Sequence, residues 1–479
     1  MDRRLKEGFQ YDEFSALVAT YAGSGILSTP TGSFNCRFRA DQECSGKLQV
    51  VFDQILPTDF AFHLIPLIER PRRVSFRGTT DDDVTVVLSC DDSGRPLSLD
   101  TNGYASIYFR PKKLTAYSST FSATPPQFLL TNFAFSPFTH LGEPPRQPES
   151  HVLSLNVAER SHAIDIQPLS DYVRRIVRLW QTRDILPTAQ LVIKSAADAT
   201  APSSFELVTN ICKLLSVVAG TVVQWLAVEG FDQEKRRGYR LHVARLTKPY
   251  CSLPLVPIAE FGYQTNSNIL QSFLQGGLEQ MHQLEPTTIN GLIAAFLDAR
   301  LEHDYIEARG IKTAVVLEIL KGLFNKELSE TEWDVLLPKP LRKRISTVVR
   351  AALEENDIQP EAVEIAQEAL AQLSRPTFRR VVLFMLRKLA LPEDDTAINA
   401  AVWSRNSLVH TGRFLSTNNP QKATSLNIAD AAQEFFLLLS FVDRLLLRLL
   451  GHSGLYIDYS RSTRWQLSPV IADLPVRAG

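Results

Sequence analysis

The chain has 479 residues, of which 44% are hydrophobic and 22% charged, so it is too long for one core and far from the apolar-poor composition of disordered chains. With 51 basic residues against 52 acidic ones the formal net charge is -1, which excludes a global field that draws the molecule onto a polyanion; any nucleic-acid contact is local. Five cysteines, Cys36, Cys44, Cys90, Cys212 and Cys251, form no C-x-x-C pair and have no histidine at zinc-ligand spacing, so they read as reduced thiols of a cytoplasmic protein.

Arg3, Arg4 and Lys6 have no apolar stretch behind them, so the first residues do not read as a secretion signal. From about residue 23 to 140, short runs of alternating or β-branched residues are divided by turn chemistry, the pattern of an antiparallel β domain. One expected hairpin joins 74–76 to 84–88 through a turn containing Asp81, Asp82 and Asp83; another joins 98–100 to 104–109 through Asn102-Gly103. Pro137, Pro144, Pro145 and Pro148 then suggest a connection between units. Beyond it come a strand at 152–157, a helix at 169–181, an apolar run at 191–193 and a helix at 204–218. Two β-rich runs, 221–228 and 238–246, follow as a hairpin tipped by Lys235, Arg236 and Arg237.

After Asn266 the apolar period changes to three or four residues, and stripes at 292–301, 315–324 and 345–353 read as helices facing a core. In the segment after Pro376, Phe378, Val381, Val382, Met385, Leu386 and Leu389 share one face, with Arg379, Arg380, Arg387 and Lys388 outside it. Asp394, Asp395 and Thr396 supply caps for the next helix, and Gly412 stands where it ends. A last helix, 428–450, is apolar nearly all round and belongs at the centre of the bundle or shared with a second subunit; Asp443, Arg444 and Arg448 argue against a membrane span. The expected fold class is α+β multidomain: a β-rich domain at 1–148, a mixed α/β part at 149–264 and an all-α bundle at 265–479.

One motif carries chemistry. Arg405 and His410, near a helix end, supply a fixed cation for a phosphate and an imidazole that can carry a proton. Asn406 shares a helix face with His410, whereas Arg405 lies about 140° from His410 round an ideal helix, so the pair converges only if the helix ends there or a second subunit completes the site. Arg146 to His151 and Arg237 to His242 repeat the spacing in a proline-rich connection and a hairpin, and are taken as chance. Lys339, Arg342, Lys343, Arg344 and Arg413 are candidate RNA-phosphate contacts, although such basic runs are commonly solvated faces.

The stretch from Trp403 through Arg405, Asn406, Ser407, Leu408, Val409 and His410 to Phe414 resembles the motif of the HEPN superfamily. The helix with Val315, Leu317, Glu318 and Leu320, and the later Leu449-Leu450-Gly451 before Tyr456, are similar to its ApeA-like branch of bacterial anti-phage proteins. In the N-terminal half the resemblance rests on residues 75–80 and 84–86. It implies a helical bundle that dimerises so that two motifs face each other, with Arg405, Asn406 and His410 in catalytic roles. It also implies RNA cleavage by attack of the 2′-hydroxyl, with tRNA as one candidate substrate and neither metal nor cofactor taking part. Some branches place further charged residues on an earlier helix; beyond a guess at Glu318 these are not matched. The expectation is an abortive-infection ribonuclease in the bacterial cytoplasm, its N-terminal region sensing a phage-derived trigger or holding the bundle inactive. The rival is a non-catalytic protein in which the bundle is only a dimerisation platform.

Overall fold

A computed structural model describes residues 17–56, 59, 73–90, 95–99, 104–117, 126–134, 153–157, 162–169, 171–194, 202–231, 237–245, 253–256, 267–301, 304–333, 338–356, 359–372, 376–460 and 466–470. By its contacts the chain divides into two compact units, Met1–Leu278 and Glu279–Gly479. The first is built on β-strands and the second on helices, the α+β arrangement expected from the change of period.

In the first unit the strands are β1 (Leu17–Thr29), β2 (Gly32–Glu43), β3 (Leu48–Ile55), β4 (Val74–Thr80), β5 (Thr85–Cys90), β6 (Arg95–Leu99), β7 (Ala105–Phe109), β8 (Lys113–Tyr117), β9 (Gln127–Thr131), β10 (Leu153–Val157) and β11 (His162–Pro168). Helix α1 (Tyr172–Thr182), β12 (Pro187–Ile193), α2 (Pro202–Ala219), β13 (Gln224–Phe231), β14 (Arg237–Val243) and α3 (Ser267–Gln283) follow. All fourteen strands belong to one sheet, in the order β10-β11-β12-β9-β13-β14-β8-β5-β4-β1-β2-β3-β7-β6. The boundary expected at 148 therefore runs through this sheet, because β9 from the first segment is paired with both β12 and β13 from the second. The helical part begins at Ser267, as the change of period predicts, but α3 lies with the first unit as far as Leu278, and a Cβ on its Gly277 would meet Leu214 of α2 at 2.6 Å.

Period-two patterning explains the sheet locally. On β2, Phe34, Cys36, Phe38 and Ala40 are buried while Asn35, Arg37 and Arg39 are exposed. The buried face curls on itself: Phe76 of β4 lies 4.8 Å from both Phe38 of β2 and Phe52 of β3, and Phe52 lies 5.9 Å from Phe109 of β7. The expected 74–88 hairpin is β4–β5, with Asp81, Asp82 and Asp83 exposed at its turn. β6 and β7 pair as expected, but Asn102-Gly103, the proline cluster and the Lys235-Arg236 tip lie outside the described residues. His242 is a core residue: its Nδ1 is 2.6 Å from Gln42 Oε1 and its Nε2 2.8 Å from Tyr21 Oη.

In the second unit, α4 (Pro286–Asp298) and α5 (Ile306–Leu328) are followed by a π-helical turn (Ser329–Trp333). Next come α6 (Lys339–Glu355), α7 (Pro360–Gln372), α8 (Phe378–Lys388) and α9 (Asp395–Thr411), then α10 (Leu415–Asn418), α11 (Pro420–Ser425) and α12 (Ala431–Leu449). A short hairpin of β15 (Leu455–Asp458) and β16 (Gln466–Pro469) comes last. α5 packs against α4, α8, α9 and α12, while α6 and α7 pack on each other with no described side chain buried. α12 buries residues on every side, including Glu434 and Asp443. Arg300 Nη2 donates to Asp443 Oδ1 at 2.7 Å with both side chains fully buried, and its guanidinium also lies 4.1 Å above the Phe296 ring. Burial pushes the Asp443 carboxyl up to about 6, opposed by the attraction of Arg300. No described helix is long and apolar enough to cross a membrane.

Two outcomes follow from this burial. Desolvation pushes the Cys36 and Cys212 thiols up to about 12 and Cys44 up to about 11, so alkylation mapped by mass spectrometry should be roughly a hundredfold or more slower at these sites in the native protein than in denaturant. Arg300→Met leaves a buried carboxylate unpaired and should cost about 3–5 kcal/mol in denaturant titrations at neutral pH. Because the folded-state carboxyl lies above its unfolded value, that cost should shrink as the pH falls toward ~4.

Candidate functional site

Helix α9 is closed at both ends by the residues the sequence marks. Asp394 accepts from the Thr396 and Ala397 amides at 2.9 and 3.3 Å, and the Gly412 amide donates to the Leu408 carbonyl at 3.0 Å with φ at 69°, a left-handed value that suits glycine. Ile398, Ala401, Ser404 and Leu408 are buried, and α5, α8, α10 and α12 are the helices packed against it.

Arg405 is held on three sides. Its Nη2 is ion-paired with Glu318 Oε1 of α5, its Nη1 donates to Asn406 Oδ1 at 2.8 Å, and its guanidinium lies 4.7 Å from the centre of the Phe378 ring on α8. Glu318 also pairs with Lys321 at 2.9 Å, and Lys321 lies 5.5 Å from the same ring. The Arg405 side chain is only 13% exposed, whereas His410 is exposed in the last turn of the helix. The helix runs unbroken through both residues, so the two side chains leave it about 140° apart. Ending at Thr411 does not bring them together within one chain. Arg405 forms one rim of the exposed arc of α9 and His410 the other, with Asn406 and Val409 between them.

The chain after the motif is pinned as firmly as the motif itself. Phe414 is fully buried against Gly310 of α5, where a Cβ would stand 2.5 Å from Phe414 Cζ and 3.2 Å from Leu408 Cδ2. Glu434 of α12, also fully buried, accepts the Leu415 amide on one carboxylate oxygen and the Ser416 amide on the other, both at 2.8 Å. Asn418 Nδ2 reaches Ser407 Oγ at 3.3 Å, tying the returning chain to the motif helix.

The candidate residues thus divide. Arg405 meets both Asn406 and Glu318, and His410 stands apart on the same arc. Lys343 and Arg344 are exposed and Arg342 half-buried on α6, which also carries Lys339; α6 packs with α7, not with the motif helix. Arg413 is exposed just beyond α9. Reading the motif alone misses Phe378, Gly310 and Glu434, although a glycine inside a helix and an acid near the start of an apolar one are both signals of a special contact. No protein-family model, curated protein or solved structure matches the chain.

Glu434→Ala leaves two backbone amides without their acceptor. It should lower stability by about 2–4 kcal/mol in denaturant titrations and speed amide exchange at Leu415 and Ser416.

Proposed function

We propose that the Glu279–Gly479 unit is a metal-independent endoribonuclease of the HEPN type, ApeA-like, acting in anti-phage defence in the bacterial cytoplasm as a homodimer. The observation that carries this reading is the exposed arc of α9: a guanidinium oriented by a carboxylate, an amide and a ring on one rim, and a solvent-facing imidazole on the other. A second copy laid across the arc sets the imidazole of one chain beside the guanidinium of the other.

The surrounding surface supports such a contact. Ile311, Val315 and Glu318 recur at helical spacing on α5, with Ile311 37% and Val315 45% exposed; on α9, Val409 is 45% and Trp403 44% exposed. Large apolar side chains around a charged pair give a dimer surface with a polar centre.

In that cleft His410 exchanges the proton of the RNA 2′-hydroxyl or of the leaving 5′-oxygen. Arg405 holds the scissile phosphate and the charge that builds on its non-bridging oxygens. Glu318 and Asn406 fix the direction of the guanidinium, and Asn406 stands on the same exposed arc within the catalytic set that the motif implies. The nucleophile belongs to the substrate, so RNA is cut and DNA is not.

Purified protein incubated with RNA in EDTA should leave 2′,3′-cyclic phosphate and 5′-hydroxyl ends. His410→Ala and Arg405→Ala should each slow cleavage by about 10²–10⁴-fold, with little change in melting temperature for the exposed His410 and a lower one for Arg405→Ala, which strips Glu318 of its guanidinium. Equal cutting by His410→Ala refutes the assignment, and variants that lose stability without changing any RNA product favour the rival interaction protein.

A further inference from the structure

The first unit carries a cationic groove unconnected with the motif. Arg73, Lys112 and Lys113 line an open groove of about 600 Å³ across β4, β5 and β8, with Ser75, Ser89 and Thr115 between them and Val87 and Leu88 at its floor. Strand register explains the convergence: Ser75 lies opposite Ser89, and Ser89 opposite Lys113, so one outward row crosses three strands about 5 Å apart. Arg73 Nε donates to Ser89 Oγ at 3.0 Å, which aims its guanidinium along that row.

The next row adds Arg77, opposite Val87, which in turn faces Thr115. The row after that sets Tyr117 opposite Tyr239, and the Tyr239 hydroxyl is bonded to the Thr115 side chain. Among the described residues no carboxylate lines the groove, and Arg73, Arg77, Lys112 and Lys113 make no ion pair. Among the described acids, Asp81 to Asp83 stand at the other end of the β4–β5 hairpin, six residues or about 20 Å along the strand from Ser75, while Glu69, Asp91 and Asp92, nearer in sequence to the groove, lie outside the described residues.

Four cations that pair with no described acid on one sheet face, with hydroxyl donors between them and two aromatic rings alongside, match a chain of phosphodiesters carrying flat bases. An acidic peptide leaves the rings unused. A lipid surface calls for protruding apolar groups, and Ile26 is the one exposed large hydrophobic side chain among the described residues of β1, β4, β5 and β8. We propose that the outer face of β4, β5 and β8 binds the backbone of single-stranded RNA, a contact independent of whether the helical unit cuts it.

The probe is a fluorescent 2′-O-methyl RNA strand of roughly twelve nucleotides, which lacks the nucleophile for cleavage, titrated with the full chain. Binding should weaken with salt at a log–log slope of about -2 to -3, the value for about four neutralised phosphates on a single strand. Arg73→Gln/Lys112→Gln/Lys113→Gln, all at exposed positions, should keep its melting temperature, bind about tenfold more weakly or worse, and show a slope shallower by about 2. Lys112→Arg/Lys113→Arg should bind as the native chain does. Loss of the strand in Arg405→Ala with full retention by the triple variant puts the RNA on the helical unit and overturns the groove, leaving the nuclease reading intact. Unchanged affinity in the triple variant, no binding by the native chain, or equal capture of phosphatidylserine vesicles or a polyglutamate peptide each overturns the proposal.

Discussion

The helical unit depends on what α12 does with two buried carboxylates. An apolar helix at the centre of a bundle holds an ionised side chain only where partners replace the lost water. Glu434 finds them in two backbone amides just after the motif helix, and Asp443 finds one in Arg300, which follows α4. Each acid therefore dictates where another segment of chain must run. Phe414 adds a steric condition, because its ring needs the missing Cβ of Gly310. Glu434 and Phe414 together fix the C-terminal end of α9, and with it the backbone that carries the exposed His410.

Local chemistry was readable from the residue order wherever its cause was local. Asp394 and Gly412 delimit α9 because an N-cap oxygen and a left-handed glycine act within one turn of themselves. The β4–β5 hairpin and the all-round burial of α12 were equally legible from alternation and from the lack of a polar face. The single sheet was not, because β9 inserts between strands that come later in the chain, and nothing in a strand's own pattern names its neighbours. The same limit applies to the site: Arg405, Asn406 and His410 stand in one motif, but Phe378, Gly310 and Glu434 reach it only through packing, and Glu318 could be no more than a guess until α5 and α9 were seen side by side.

Spacing on a helix places the strongest condition on the nuclease reading. Five residues turn an α-helix through about 140° beyond a full revolution, so a guanidinium and an imidazole with this separation cannot share a phosphate while the helix between them stays intact. Here it does stay intact, through Thr411. Catalysis by this pair then requires the imidazole of one chain to meet the guanidinium of another, and the exposed Ile311, Val315, Trp403 and Val409 supply apolar area for that meeting. Dimerisation and chemistry become one requirement under this reading, and a monomer carries two half-sites that face apart.

Charge placement separates capture from reaction. Arg405 is already paired with Glu318, so it adds little to the long-range pull on a polyanion, and under the nuclease reading it acts only on a phosphate close enough to share the guanidinium. With a net charge of -1 the whole molecule adds no pull either. Under the nuclease reading a substrate-binding surface must then come from cations that make no ion pair, and Arg73, Arg77, Lys112 and Lys113 meet that condition among the described residues. Affinity would then fall steeply with salt at the groove, while the orientation of Arg405, held by a half-buried carboxylate and a ring, would change little. Ionic strength would thus act on how often RNA is held rather than on the geometry in which it is cut.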